Sequence, residues 1–107
     1  MMMPSTAARD ARGVQRVNVR THASVREQST HRLTADLLDL SVTGFRLSST
    51  STMSVGARIF VTLPELGGLE SVVEWRDGDI YGCSFVRPLH PSVRDHLADR
   101  YPGPSAI

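Results

Sequence analysis

The spacing of its turns is what most limits the fold of this chain. Short runs of β-type residues recur between turn signals about every 8–12 residues, and only one stretch, near the C-terminus, reads as a helix. Val17, Val19, Thr21, Ala23 and Val25 alternate with polar residues, the period-two mark of a half-buried strand. Glu27-Gln28-Ser29-Thr30 reads as a turn. Arg32 to Leu40 (RLTADLLDL) reads as a second strand; its leucines would also suit a short helix, but its length and neighbours favour strand. Alternation restarts at Phe45 to Ser48. Ala57 to Leu63 (ARIFVTL) is a strand by its β-branched and aromatic content. After a loop at Pro64 to Gly68 comes Leu69 to Arg76 (LESVVEWR). Asp77-Gly78-Asp79 is a hairpin signal, because Asp-Gly readily takes the positive φ of tight hairpins, and Ile80 to Val86 (IYGCSFV) returns as the partner strand. Pro91-Ser92 opens a short helix through Arg100, with Val93 and Leu97 on one face, and Pro102-Gly103-Pro104 ends it. Six strands and one terminal helix predict a small antiparallel barrel or sandwich.

The chain has 107 residues, the size of one domain, and 40% of them are hydrophobic, too many for a fully disordered chain. Its one cysteine, Cys83, excludes an intrachain disulfide and reads as a small core residue. No apolar run is long enough to span a membrane, and Met1 to Arg9 lacks the apolar stretch of a signal peptide. The expectation is a soluble, cytoplasmic protein without membrane insertion. It divides into a flexible leader at 1–11, a β-barrel domain at 12–101 and a tail at 102–107.

A net charge of +1 conceals an asymmetry. All twelve basic residues are arginine. Residues 1–32 carry six of them against Asp10 and Glu27; residues 33–107 carry the other six against nine acids. A basic N-terminal segment on a mildly acidic body suits an anionic partner docking at one end, or is simply a solvated basic tail. The aromatics Phe45, Trp75 and Tyr81 are not interleaved with basic residues, which argues against a nucleic-acid polymer as partner.

Signatures of catalysis are missing from the sequence: no Gly-x-Ser-x-Gly, no His-Glu-x-x-His and no P-loop. The spacings of His22, His31, His90 and His96 match no usual zinc pattern. The expectation is a non-enzyme with no metal and no cofactor.

Two motifs remain. Arg12, Arg16 and Arg20 repeat at a spacing of four, and Asp39-x-Ser41-x-x-Gly44 lies between two strands. Each alone has a plain reading, as solvated charges and as an ordinary turn. Together, in one short β-domain, they resemble the PilZ domain family of bacteria. Its hallmark is Arg-x-x-x-Arg just before the first strand, followed downstream by Asp/Asn-x-Ser-x-x-Gly. The resemblance runs from about Arg12 to Tyr101. Val72-Val73-Glu74-Trp75 looks like the family's fifth strand, and Tyr81-Gly82-Cys83-Ser84-Phe85 like its Gly-x-x-Phe strand.

The resemblance implies a mainly β fold, a six-stranded antiparallel barrel with a short C-terminal helix. It also implies cyclic di-GMP as ligand, a changed protein–protein surface on binding, and an unidentified protein partner. The ligand-binding residues it points to are Arg12, Arg16, Asp39, Ser41 and Gly44, with Arg20 if the motif is read one step later and Trp75 near the same rim. Arg12/Arg16 is the favoured register, because strand alternation begins at Val17. The chemistry fits. A guanidinium stacks on a purine face and matches phosphate or guanine O6 and N7 with paired donors. Asp39 can accept from guanine N1 or N2, Ser41 can donate to a phosphate or N7, and Gly44 admits close backbone approach. Trp75 offers a stacking or apolar contact, or is a core or surface-anchoring ring. Family members often begin the arginine motif with adjacent arginines, whereas Ala11 precedes Arg12 here. That departure favours the alternative, a PilZ-like adaptor that binds no nucleotide.

Overall fold

The computed structural model describes residues 15–27 and 32–104. The leader assigned to 1–11, Arg12, most of the turn expected at 27–30 and the last three residues of the tail lie outside the described residues. Six strands form: β1 (Val17–Glu27), β2 (Arg32–Leu40), β3 (Gly44–Ser48), β4 (Arg58–Thr62), β5 (Gly68–Asp77) and β6 (Ile80–Phe85), followed by helix α1 (Pro91–Arg100). They close into an antiparallel barrel in the order β1-β2-β3-β6-β5-β4. The expected strands are all present, with ends shifted by one or two residues; Glu27 ends β1, paired with Ile59, instead of opening a turn, and Gly68 opens β5 opposite Thr62 instead of closing the preceding loop.

Inward side chains follow the two-residue alternation. Val19, Ala23 and Val25 of β1 meet Leu37 and Leu40 of β2, Phe45 and Leu47 of β3, Ile59 and Val61 of β4, Val73 of β5 and Tyr81 of β6 in one buried cluster. The Phe45 and Phe85 rings pack at 4.9 Å between centroids. The two-residue β5–β6 turn puts Gly78 at φ 62°, the first position of a type II′ hairpin, where glycine carries no Cβ penalty.

The β3-to-β4 connection crosses the barrel end. Tyr81 anchors it from below: its hydroxyl accepts from Met53 N at 3.1 Å and donates to Ser51 O at 3.3 Å. Met53 itself is buried beneath the crossing. The C-terminal residues seal a different gap. Only Ser24 to Glu27 of β1 pair with β4. The first half of β1 is covered instead by the chain leaving α1: Arg20 N donates to Tyr101 O at 2.9 Å, Gly103 N donates to Asn18 O at 3.2 Å, and Val19 bridges Pro102. A Cβ on Gly103 would lie 2.9 Å from the backbone of Val19, so glycine permits this approach.

Helix α1 starts at the N-cap His90, whose ring accepts from Ser92 N, and seats Leu97 in the core. Among the described residues no helix is long and apolar enough to cross a membrane. Glu65, in the β4–β5 loop, ties the end of the helix to the barrel. It takes a left-handed φ of 68°, its carboxylate bonds His96 Nε2 at 2.8 Å, and it accepts from the Tyr101 hydroxyl at 3.0 Å. The bond from His96, then that from Tyr101, hold the Glu65 carboxyl below its ordinary 4.5. A depressed folded value stabilises the fold above the unfolded pKa and is lost as the pH falls through the folded value. Acidification from pH 7 to pH 3 should therefore lower the urea midpoint of the wild type more than that of Glu65→Gln.

Candidate functional site

Two breaks in strand alternation create the site. In β2, Ala35 and Leu37 point into the core, so strict alternation would send Asp39 inward as well. Instead Leu37 pairs with Leu47 and Asp39 with Arg46, so β2 carries one extra residue, Leu38, relative to β3. The bulge returns Leu40 to the core and turns Asp39 to the outer wall. In β5 the same thing happens. Ser71 and Val73 are buried; then Val73 pairs with Cys83 and Trp75 with Gly82, leaving Glu74 extra and turning Trp75 outward, 43% exposed. The pairings Asn18–Asp39, Asp39–Arg46, Arg46–Gly82 and Gly82–Trp75 run as one row across five strands.

Asp39 is the centre of charge. Its side chain is 2% exposed, and both oxygens are taken: Oδ1 accepts from Arg16 Nη1 at 2.7 Å and Oδ2 from Arg46 Nε at 2.5 Å. A carboxylate so far from water requires such partners, since a buried unpaired charge costs several kcal/mol. The two arginine side chains stay 43% and 45% exposed. One buried anion thus aims two half-exposed cations, leaving one net positive charge at the wall. Arg94 of α1 donates from Nη1 to the Gln15 carbonyl at 3.4 Å, holding the chain just before Arg16.

The other motif residues build the turn beneath this array. Ser41 is buried, and its Oγ accepts from Thr43 N at 3.2 Å and from Gly44 N at 3.1 Å; Ser41 N donates to Gly44 O at 2.8 Å. Gly44 is needed for sheet packing: a Cβ there would lie 2.3 Å from the Cys83 carbonyl oxygen. The structure therefore brings Arg16 to Asp39, with Ser41 and Gly44 shaping the turn between β2 and β3. Arg20 makes no bond to Asp39, although it lies only two residues along β1 from Asn18, the strand partner of Asp39; its side chain is exposed and its backbone amide is bonded to the tail. Arg12 lies outside the described residues.

Trp75 lies across Gly82. A Cβ built on Gly82 would fall 2.1 Å from both Nε1 and Cε2 of the indole, so the ring occupies the space that a side chain would fill. Sequence reading missed Arg46, Gly82 and Arg94. For Arg46 the signal was present, since it lies two residues after Gly44 in an alternating strand whose Phe45 and Leu47 point inward. Gly82 was marked only as part of the Gly-x-x-Phe strand, without its role beneath Trp75, and Arg94 acts across the fold and leaves no local mark.

Cys83 is a core residue, with its thiol pushed up to about 12, by burial first and the nearby Glu74 second. That is the opposite of an activated nucleophile. Among the described residues no group of three His, Cys, Asp or Glu is placed to hold a metal ion.

Comparison with known proteins agrees with the geometry. The family model for the PilZ domain matches residues 9–101. Among solved structures, the PilZ domain of CeSA from a cellulose-synthesizing bacterium superposes with a TM-score of 0.56 at 13% sequence identity, covering 80% of this chain and 92% of that one. At that identity the likeness concerns the fold. A search of curated proteins found no match.

The close approach at Gly44 generates a direct test. Gly44→Ala sets a Cβ against backbone, which cannot rotate away, and should cost about 2–3 kcal/mol. A lowered urea midpoint with an unchanged slope would show it.

Proposed function

The chain belongs to the PilZ domain family, and from that premise we propose that it is a receptor for cyclic di-GMP whose output is a changed protein–protein surface. The observation that carries this reading is the buried Asp39 carboxylate aiming Arg16 outward at the point where the basic N-terminal segment enters β1. Cyclic di-GMP offers two phosphates and two guanines, the groups that a fixed guanidinium grips with paired, charge-assisted donors.

In this reading Arg16 is the principal contact and Arg12, one motif step earlier, is its companion. That Asp39 bonds Arg16 and not Arg20 favours the Arg12/Arg16 register. Asp39 acts mainly by orienting arginine, because both of its oxygens are already engaged. Ser41 and Gly44 fix the turn that carries Asp39, and their polar backbone lies under the same rim. The outward face of Trp75 offers a stacking plane for a purine. The domain works by binding, in the cytoplasm, and passes its signal to a separate protein.

Segment 12–15 leads directly into Arg16, and Arg94 of α1 holds the Gln15 carbonyl. Ligand pulling on the arginines thus acts on a segment tied to α1, which gives binding a route to the surface that a partner reads. The ordering of leader residues over the ligand opposes binding and leaves a moderate net affinity.

Calorimetric titration of cyclic di-GMP tests the proposal. Low-micromolar affinity, about 8 kcal/mol, is expected for the wild type, with binding lost in Arg16→Ala and GTP giving no heat. A folded wild type that gives no heat with cyclic di-GMP would overturn it and leave the nucleotide-free adaptor.

A further inference from the structure

Arg46 has no place in the motifs that identify the family, yet it holds the same carboxylate as Arg16. It uses only Nε for that bond. Among the described residues no other group takes a hydrogen bond from its guanidinium, and the side chain is 45% exposed. The bond to Asp39 accounts for Nε alone and leaves the rest of the guanidinium available to a second acceptor.

The cross-strand partner of Arg46 is Gly82, which presents no side chain, and the next residue in the row, Trp75, lays its indole over Gly82. One strand spacing, about 4.8 Å, separates Arg46 from Gly82. The outer wall therefore carries two guanidinium groups fixed on one anion, with an aromatic ring laid over the next strand. The bulges at Leu38 and Glu74 are what bring these residues onto one wall.

We propose that Arg46 is a ligand-contacting residue, donating from the unbonded edge of its guanidinium to acceptor atoms of a bound nucleotide that lies along the lane from Arg16 past Arg46 to Trp75, and that Gly82 makes room for the indole that ends this lane. The inference rests on the cyclic di-GMP reading and extends the site beyond the recognised motifs. The acceptors are phosphate oxygens or the O6/N7 edge of guanine, the two groups that a guanidinium matches with paired donors.

Arg46→Lys separates contact from support. Lysine keeps a cation on Asp39 but lacks the planar second edge. Cyclic di-GMP is titrated calorimetrically into wild type, Arg16→Ala, Arg46→Lys and Arg46→Ala, with melting temperature measured for each. Emission of Trp75, the single tryptophan, reports whether the ligand reaches the lane. The expected result is binding weakened about 10-fold or more in both Arg46 variants, an unchanged melting temperature in Arg46→Lys, and a change in wild-type emission on binding. Cyclic di-AMP, run in parallel, assigns the acceptor: a loss confined to the guanine ligand marks the O6/N7 edge, and an equal loss for both marks the phosphate. Arg46→Lys binding within twofold of wild type, while Arg16→Ala abolishes binding, would overturn the role of Arg46 and leave the receptor reading standing. No binding by wild type would remove both. Gly82→Ala gives an independent check. Its Cβ collides with the indole, so Trp75 emission should shift and affinity fall; unchanged emission and affinity would overturn the role given to Gly82 in seating the ring.

Discussion

The hydrogen-bonded seam between β1 and β4 turns a six-stranded sheet into a barrel, and the rest of the molecule is arranged around it. Closure removes the sheet edges that would otherwise stay unpaired. It also forces inward side chains from all six strands into a single core. The seam is short on the β1 side, Ser24 to Glu27 only. The C-terminal chain completes the cover by bonding the backbone at Asn18 and Arg20. Helix, tail and first strand are therefore one mechanical unit, with Glu65 fastening it to the opposite loop through His96 and Tyr101.

Within that wall, a buried anion sets the chemistry. Asp39 sits where water cannot solvate it, so two arginines must, and in doing so they lose much of their freedom. Fixing a guanidinium before a ligand arrives lowers the ordering cost of binding. The buried serine and the backbone-crowded glycine of the same motif serve the carboxylate by holding its turn. A pattern that reads as a set of ligand contacts is thus largely a device for presenting arginine.

Much was legible in the chain because its physics is local. Alternation in Val17 to Val25, the Asp77-Gly78 turn, and the proline and capping signals around Pro91 each act over a few residues, so strand count, hairpin and helix follow from them. Arg16 and Asp39, 23 residues apart, bond each other in the fold, whereas the motifs named them only as contacts of one ligand. The reading of Asp39 as a free acceptor for guanine did not anticipate Arg46, because a second partner on the neighbouring strand depends on register.

Sequence by itself determined the six strands, the terminal helix, the isolated cysteine as core, and the family, since these rest on period, turn chemistry and motif spacing. Tertiary structure decided which side of the wall Asp39 and Trp75 face. Strict alternation counts both inward, and only pairing against β3 and β6 shows the extra residues at Leu38 and Glu74 that turn them out. It also decided what Gly82 and Gly103 are for, since a missing Cβ acquires meaning only when the atoms of a distant segment fill its place.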